Sequence, residues 1–193
     1  MAVLSEEQAA AIPATTRVLE LGCGQIKRVP HSITVDINPA SIADVIHDLN
    51  KLPYPFEDNE FDFVVAEHVI EHLGSVIGIM EELHRITKPG GIIYVEVPHF
   101  SSANFFTDPT HTHSFTTRSF DYFVPGLWLA SYRYSPVQFK KRYVRIEFDE
   151  PNRLRRLMQR WASKNYQDYE HYEQKYAFMF PAGHINFELE VIK

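Results

Sequence analysis

The stretch RVLELGCGQ, Arg17 to Gln25, runs from an apolar segment straight into Gly22-Cys23-Gly24. A short apolar run that ends in two glycines reads as a buried strand whose backbone turns sharply and passes close beneath a ligand, because a side chain at either glycine obstructs both the turn and the approach. A dinucleotide-binding turn asks for a third glycine three residues after the second. Lys27 stands there and Pro30 follows, which counts against a pyrophosphate and against a nicotinamide-dependent oxidoreductase. Glu20, two residues before the first glycine, instead offers a carboxylate to a cofactor with an ammonium or other cationic group.

Outward from this turn, short apolar runs alternate with turn and helical segments, the pattern of a parallel α/β sheet. Strands are expected at RVLEL, ITVDI, ADVIH, FDFVVA and GIIYVEV. One helix is expected at SEEQAAAI, with Ser5 and Gln8 as a capping box, and another from about Ser75 to Thr87. YVRIEFD and INFELEVIK alternate like half-exposed strands and fit an antiparallel edge. At 193 residues and 45% hydrophobic, the chain reads as one domain with a sizeable core. Its net charge of −6 argues against a general nucleic-acid binder. No apolar run spans a bilayer, the single Cys23 forms no internal disulfide, and glutamates stand where a signal peptide carries positive charge. The expected compartment is therefore the cytoplasm.

Two further carboxylates follow strand ends. Asp36 in ITVDINP can accept both hydroxyls of a ribose, or else shape the turn before Asn38-Pro39. Asp48 follows the third strand and can accept from an exocyclic amine such as adenine N6, with Leu49 as an apolar contact; a solvated loop carboxylate is the plain alternative.

Taken in order, LELGCG, VDIN, HDLNKLPYPFEDNEFDFVVAEHVIEHL and HRITKPGGIIYVEVP resemble the motifs of the class I S-adenosylmethionine-dependent methyltransferases, over Val18 to Pro98. The resemblance implies a Rossmann-like, three-layer α/β/α fold with a seven-stranded, mostly parallel sheet and an antiparallel C-terminal edge strand. It implies S-adenosyl-L-methionine as cofactor. Glu20, Gly22 and Gly24 would hold the methionine part, Asp36 the ribose, and Asp48 and Leu49 the adenine; Cys23 and Ile37 would belong to the same cofactor site, and Glu67 and His68 would lie near the sulfonium. Only QIKRVPHS separates Gly24 from the second strand, so the usual helix there is very short or absent. In this the chain resembles a subset of bacterial methyltransferases linked with polysaccharide biosynthesis.

The acceptor end reads from PHFSSANFFTDPTHTHSF, Pro98 to Phe115. His99 directly follows the fifth strand, at the carboxyl edge where open α/β sheets place ligands, and is the candidate general base; pocket lining is the competing reading. His111 and His113 point the same way if extended and are candidate substrate contacts, with Arg118 for an acidic group. A metal on this pair with Asp108 or His99 is not expected, since no second pair of ligands is evident. The aromatic-rich stretch at about 98–136 reads as an acceptor lid inserted in the domain, and PNRLRRLMQRWASKN, about 151–164, as a basic amphipathic helix. That helix carries Arg153, Arg155, Arg156, Arg160 and Lys164, with Leu154, Leu157, Met158 and Trp161 on one face. It fits a lid best, with an acidic substrate, a peripheral membrane contact or a subunit interface as alternatives.

The expectation is thus a methyltransferase acting by O-methylation on a small polar or glycan-related acceptor. It has no nucleic-acid partner, no resident metal and no stable membrane insertion. N- or C-methylation of another metabolite, and a non-catalytic cofactor-binding scaffold, are the alternatives.

Overall fold

The computed structural model describes residue 4 and residues 6–149, 153–162 and 164–193. The capping box expected at Ser5 falls outside these residues. Strands β1 (Val18–Leu21), β2 (Ile33–Asp36), β3 (Val45–Ile46), β4 (Phe61–Glu67), β5 (Thr87–Pro98), β6 (Gln138–Glu147) and β7 (His184–Ile192) form one seven-stranded sheet in the order β3-β2-β1-β4-β5-β7-β6. β7 runs antiparallel to both β5 and β6, and all other pairings are parallel. The C-terminal strand is therefore the antiparallel one, with β6 outside it. The helices are α1 (Glu6–Ala10), α2 (Val76–Ile86), α3 (Ala103–Thr107), α4 (Arg153–Ala162) and α5 (Tyr166–Lys175).

The central strands are apolar at successive positions because both faces of the sheet are covered. Leu19, Leu21, Val64, Ala66, Ile93 and Val95 join the main core with Met80 and Leu83 of α2. The intervening Val18, Val65 and Tyr94 point to the other face, where Ala9 of α1 and Val29 cover them. Ser75 caps α2, its hydroxyl accepting from the backbone N–H of Gly78. None of residues 22–32 is helical, so β1 and β2 are joined by a turn alone. Val29 from that turn is fully buried and takes the place of helix packing.

The segment from 98 to 136 divides between core and surface. Phe115, Phe120 and Phe123 are buried in the main core, while Phe106, Trp128 and Tyr134 are exposed. α4 uses half of its apolar stripe: Met158 and Trp161 pack with Ala162 against Ile146, Phe148 and Tyr172, and Leu154 and Leu157 stay exposed. No helix of the described residues is long and apolar enough to cross a membrane.

Candidate active site

The sheet order reverses between β1 and β4, which opens a crevice at their carboxyl ends, the usual ligand site of open α/β sheets. Register brings the candidate residues to one level there: Leu21 pairs with Val35 and with Ala66, and Glu67 with Glu96. Gly22, Asp36, Ile37, Glu67 and His68 follow directly.

Two cavities adjoin across Gly22 and His68. One, of about 350 Å³, is lined by Gly22, Asp36, Ile37, Asp48, Leu49, Asn50, His68, Val69, His72 and Leu73. The other, of about 330 Å³, is lined by Glu20, Cys23, Gln25, Ile26, Arg28, Glu67 and His68 among others. Of the ten residues expected to hold a cofactor, only Gly24 lines neither wall. It shapes the site from behind, its N–H donating to Asp36 Oδ2 at 2.8 Å. Gly22 and Gly24 both take positive φ, 63° and 54°, as a turn beneath a ligand requires. A Cβ at residue 22 would lie 2.4 Å from Val69 Cγ2, whereas one at residue 24 would meet nothing within 4 Å.

The carboxylates divide their tasks. Glu20 accepts from the N–H groups of Arg28 (2.9 Å) and Val29 (2.5 Å) and from the Ser32 hydroxyl (2.7 Å). It thus ties down the helix-free connection from beneath the cavity. Asp36 accepts from Gly24 through Oδ2 and from Asn38 N–H through Oδ1, leaving one lone pair on each oxygen. Glu67 receives Arg28 Nε on Oε2 at 2.8 Å, and its buried Oε1 has no hydrogen-bond partner among the described residues. Burial pushes its pKa up to about 7, with the Arg28 charge opposing and the nearby Glu96 reinforcing the rise.

His68, at φ 52°, holds the turn after β4 in the left-handed region, a strained placement typical of functional sites. Its ring is gripped at both ends, Nδ1 3.2 Å from Glu71 Oε1 and Nε2 3.1 Å from Glu96 Oε1. Burial disfavours the imidazolium, but the two carboxylates outweigh it and raise the pKa to about 10. The two carboxylates thus favour the imidazolium form of His68.

The histidines expected at the acceptor end separate. His99 is fully buried: its Nδ1 bonds the Ser101 hydroxyl at 2.6 Å, its Nε2 stands 3.6 Å from Glu173, and its ring packs on Phe100 and Tyr172. Burial holds its pKa below the usual histidine range despite Glu173. It lines neither of the two cavities. His111 instead approaches the site, its ring 4.6 Å from that of His72 and its Nε2 4.0 Å from Glu71 Oε1. His113 has its Nε2 buried, with no hydrogen-bond partner among the described residues. Arg118 lines a separate aromatic-walled cavity with Phe100, Tyr122 and Trp128, and pairs with Glu170 at 2.7 Å.

Sequence reading missed Arg28, Asn50, Glu71, His72 and Glu96. The only hint was EHVIEHL, whose histidines and glutamates recur within one turn. Backbone N–H groups of Thr112 and His113 both donate to Glu71 C=O, at 2.8 and 3.3 Å. The 108–113 stretch is thereby stitched over this turn.

The methyltransferase domain family matches residues 19–95. Demethylmenaquinone methyltransferase of Geobacillus stearothermophilus is 40% identical over 43 residues, 22% of this chain and 18% of that protein. Sterol 24-C-methyltransferase of Schizosaccharomyces pombe is 46% identical over 41 residues, 21% of this chain and 11% of that protein. The matched segments therefore span less than a fifth of these relatives' lengths. Among solved structures, an S-adenosylmethionine-dependent methyltransferase from Archaeoglobus fulgidus superposes with a TM-score of 0.59 at 21% identity, covering 91% of this chain and 86% of that one.

Proposed function

We infer that this chain, a class I methyltransferase by its fold and by the methyltransferase-domain segment at residues 19–95, transfers the methyl group of S-adenosylmethionine to a small hydroxyl-bearing acceptor. The observation that carries this reading is the paired cavity beneath the carboxyl ends of β1, β2 and β4, floored by Gly22 and walled by Asp36, Asp48 and Glu67. An anionic cleft suits a cationic ligand.

The cofactor, when bound, supplies a methyl group on a cationic sulfur, which the acceptor's lone pair takes while the carbon–sulfur bonding pair stays on sulfur. The free lone pairs of Asp36 receive the ribose hydroxyls. Asp48 and Leu49 meet the adenine edge and face. Glu67 Oε1, buried and unpartnered, accepts from the ammonium, and Glu20 keeps the turn beneath it in place. Val69 and Leu73 give the cavity an apolar wall, against which a bound cofactor would displace water and so strengthen the charge interactions around it.

The acceptor enters beside the Glu71–His72–His111 group at the cavity edge, and its hydroxyl proton passes to water as the new carbon–oxygen bond forms. Methylation at that oxygen is the leading reading, and sugar hydroxyls belong to this acceptor class. The relatives named for demethylmenaquinone and for carbon 24 of a sterol support transfer to carbon as the alternative. The exposed basic face of α4, with Arg153, Arg156 and Arg160, suits peripheral contact with an anionic surface.

Calorimetric titration with S-adenosylhomocysteine tests the cofactor half; absence of binding would sink the reading. A labelled-methyl screen over sugar, quinol and sterol acceptors tests the other half, and binding without turnover on any of them would favour a scaffold instead.

A further inference from the structure

We propose that Glu71, His72 and His111 form a binding site for a divalent first-row transition metal at the edge of the cofactor cavity. One ring nitrogen of each histidine and one oxygen of Glu71 lie within 4.8 Å of one another. Two imidazoles and one carboxylate are a donor set for zinc or ferrous iron that leaves coordination positions open.

The hydrogen bonds behind the histidines fix their tautomers. His111 Nδ1 faces Phe105 C=O at 3.0 Å, a partner that only accepts, so Nδ1 carries the proton. The Thr110 hydroxyl donates to Asp108 Oδ1 at 2.6 Å, so its oxygen accepts from His72 Nδ1 at 2.8 Å. Both rings therefore keep a lone pair on Nε2. Second partners of this kind, a backbone carbonyl and a hydroxyl relayed to a carboxylate, are those that orient metal-binding histidines.

What the rings approach is a carboxylate. Glu71 is fully buried; its Oε1 is shared with His68, and its Oε2 has no hydrogen-bond partner among the described residues. A proton held between His111 and Glu71 would draw them to about 3 Å, yet Nε2 stands 4.0 Å from Oε1. Metal bonds of about 2.0–2.2 Å set ligand atoms roughly 3–4 Å apart across the ion. The neighbouring group of His68, Glu96 and His184 does not qualify in the same way, since both His68 nitrogens are taken by carboxylates.

His72 also lines the cavity that holds Gly22 and Asp36, so the open positions of the ion lie beside the cofactor. There an acceptor hydroxyl is polarised and ionises more readily. That role rests on the methyl-transfer reading; metal binding itself does not.

The test titrates chelator-stripped protein with Zn²⁺ by calorimetry and with Co²⁺ by absorption, and measures S-adenosylhomocysteine binding on the same samples. We expect one equivalent of metal in the wild type and in His31→Ala, a surface control. Stoichiometric uptake is lost in His111→Ala and Glu71→Gln, and affinity falls about tenfold in Thr110→Val, which removes only the support behind His72. No uptake by the wild type, or undiminished uptake by both His111→Ala and Thr110→Val, overturns the proposal. Metal uptake without S-adenosylhomocysteine binding would sink the cofactor reading and leave the metal site standing; the reverse would do the opposite.

Discussion

Gly22 lies directly beneath Val69, so close that a Cβ on residue 22 would stand 2.4 Å from Val69 Cγ2. Gly22 directly follows β1 and Val69 lies just beyond β4, so their contact clamps the crevice floor. Gly22→Ala should lose stability twice, by about 1–2 kcal/mol for a side chain at φ 63° and further through the clash. Adding Val69→Ala should recover the clash component in thermal melts and not the backbone component. Full recovery in the double variant would show that backbone conformation at residue 22 carries no cost.

Asp36 joins the turn after β1 to the end of β2 through its bonds to Gly24 and Asn38. Asp36→Ala should weaken S-adenosylhomocysteine binding by about tenfold or more, equivalent to about 1.4 kcal/mol. Asp36→Asn, which keeps one acceptor, should lose less. Calorimetry that ranks the two variants the other way would argue against a ribose contact here.

Stability should decline toward alkaline pH. The folded state raises His68 from 6.5 to about 10, so the stability gained from its imidazolium is complete below pH 6.5 and is lost as pH rises through about 10. Glu67 adds a loss of the same sign lower down, between 4.5 and about 7. Because the His68 side chain is partly exposed, solvent screens its contribution. Melting temperatures of His68→Gln should fall less between pH 7 and 10 than those of the wild type. Parallel curves would mean that His68 is not the titrating group.

His99 should prove a packing residue. Removing a fully buried ring leaves a cavity, so His99→Ala should cost about 2–4 kcal/mol by denaturant unfolding. Turnover per folded molecule should hold across the pH range. A loss of kcat at constant folded fraction would restore His99 as the base.

Much of this was legible in the chain because it is local. Strands β1, β2, β4 and β5 follow their apolar runs, and α2 follows its stripe and the Ser75 cap. Residues at or just after a strand's carboxyl end stay at the sheet's carboxyl edge whatever the distant packing, so Gly22, Asp36, Glu67 and His68 could be assigned to one crevice. The absent helix between β1 and β2 was legible too, since eight residues with a proline leave no length for one.

What side chains meet was not legible. Glu20 reads as a cofactor ligand by position, but the connection of residues 28–32 folds back and occupies its carboxylate. His99 has the right address after β5, but α5, over 60 residues later, brings Tyr172 and Glu173 over its ring. Thr110 reaches His72 across 38 residues of sequence, and with it His111 comes to Glu71. The sequence by itself determined the sheet, the crevice and the chemistry offered to a cofactor, because backbone pattern and strand-end position are properties of neighbouring residues. Only the tertiary structure decided which histidine is walled in and which ones surround a buried, half-unpartnered carboxylate, because burial and ligand geometry arise where distant segments pack.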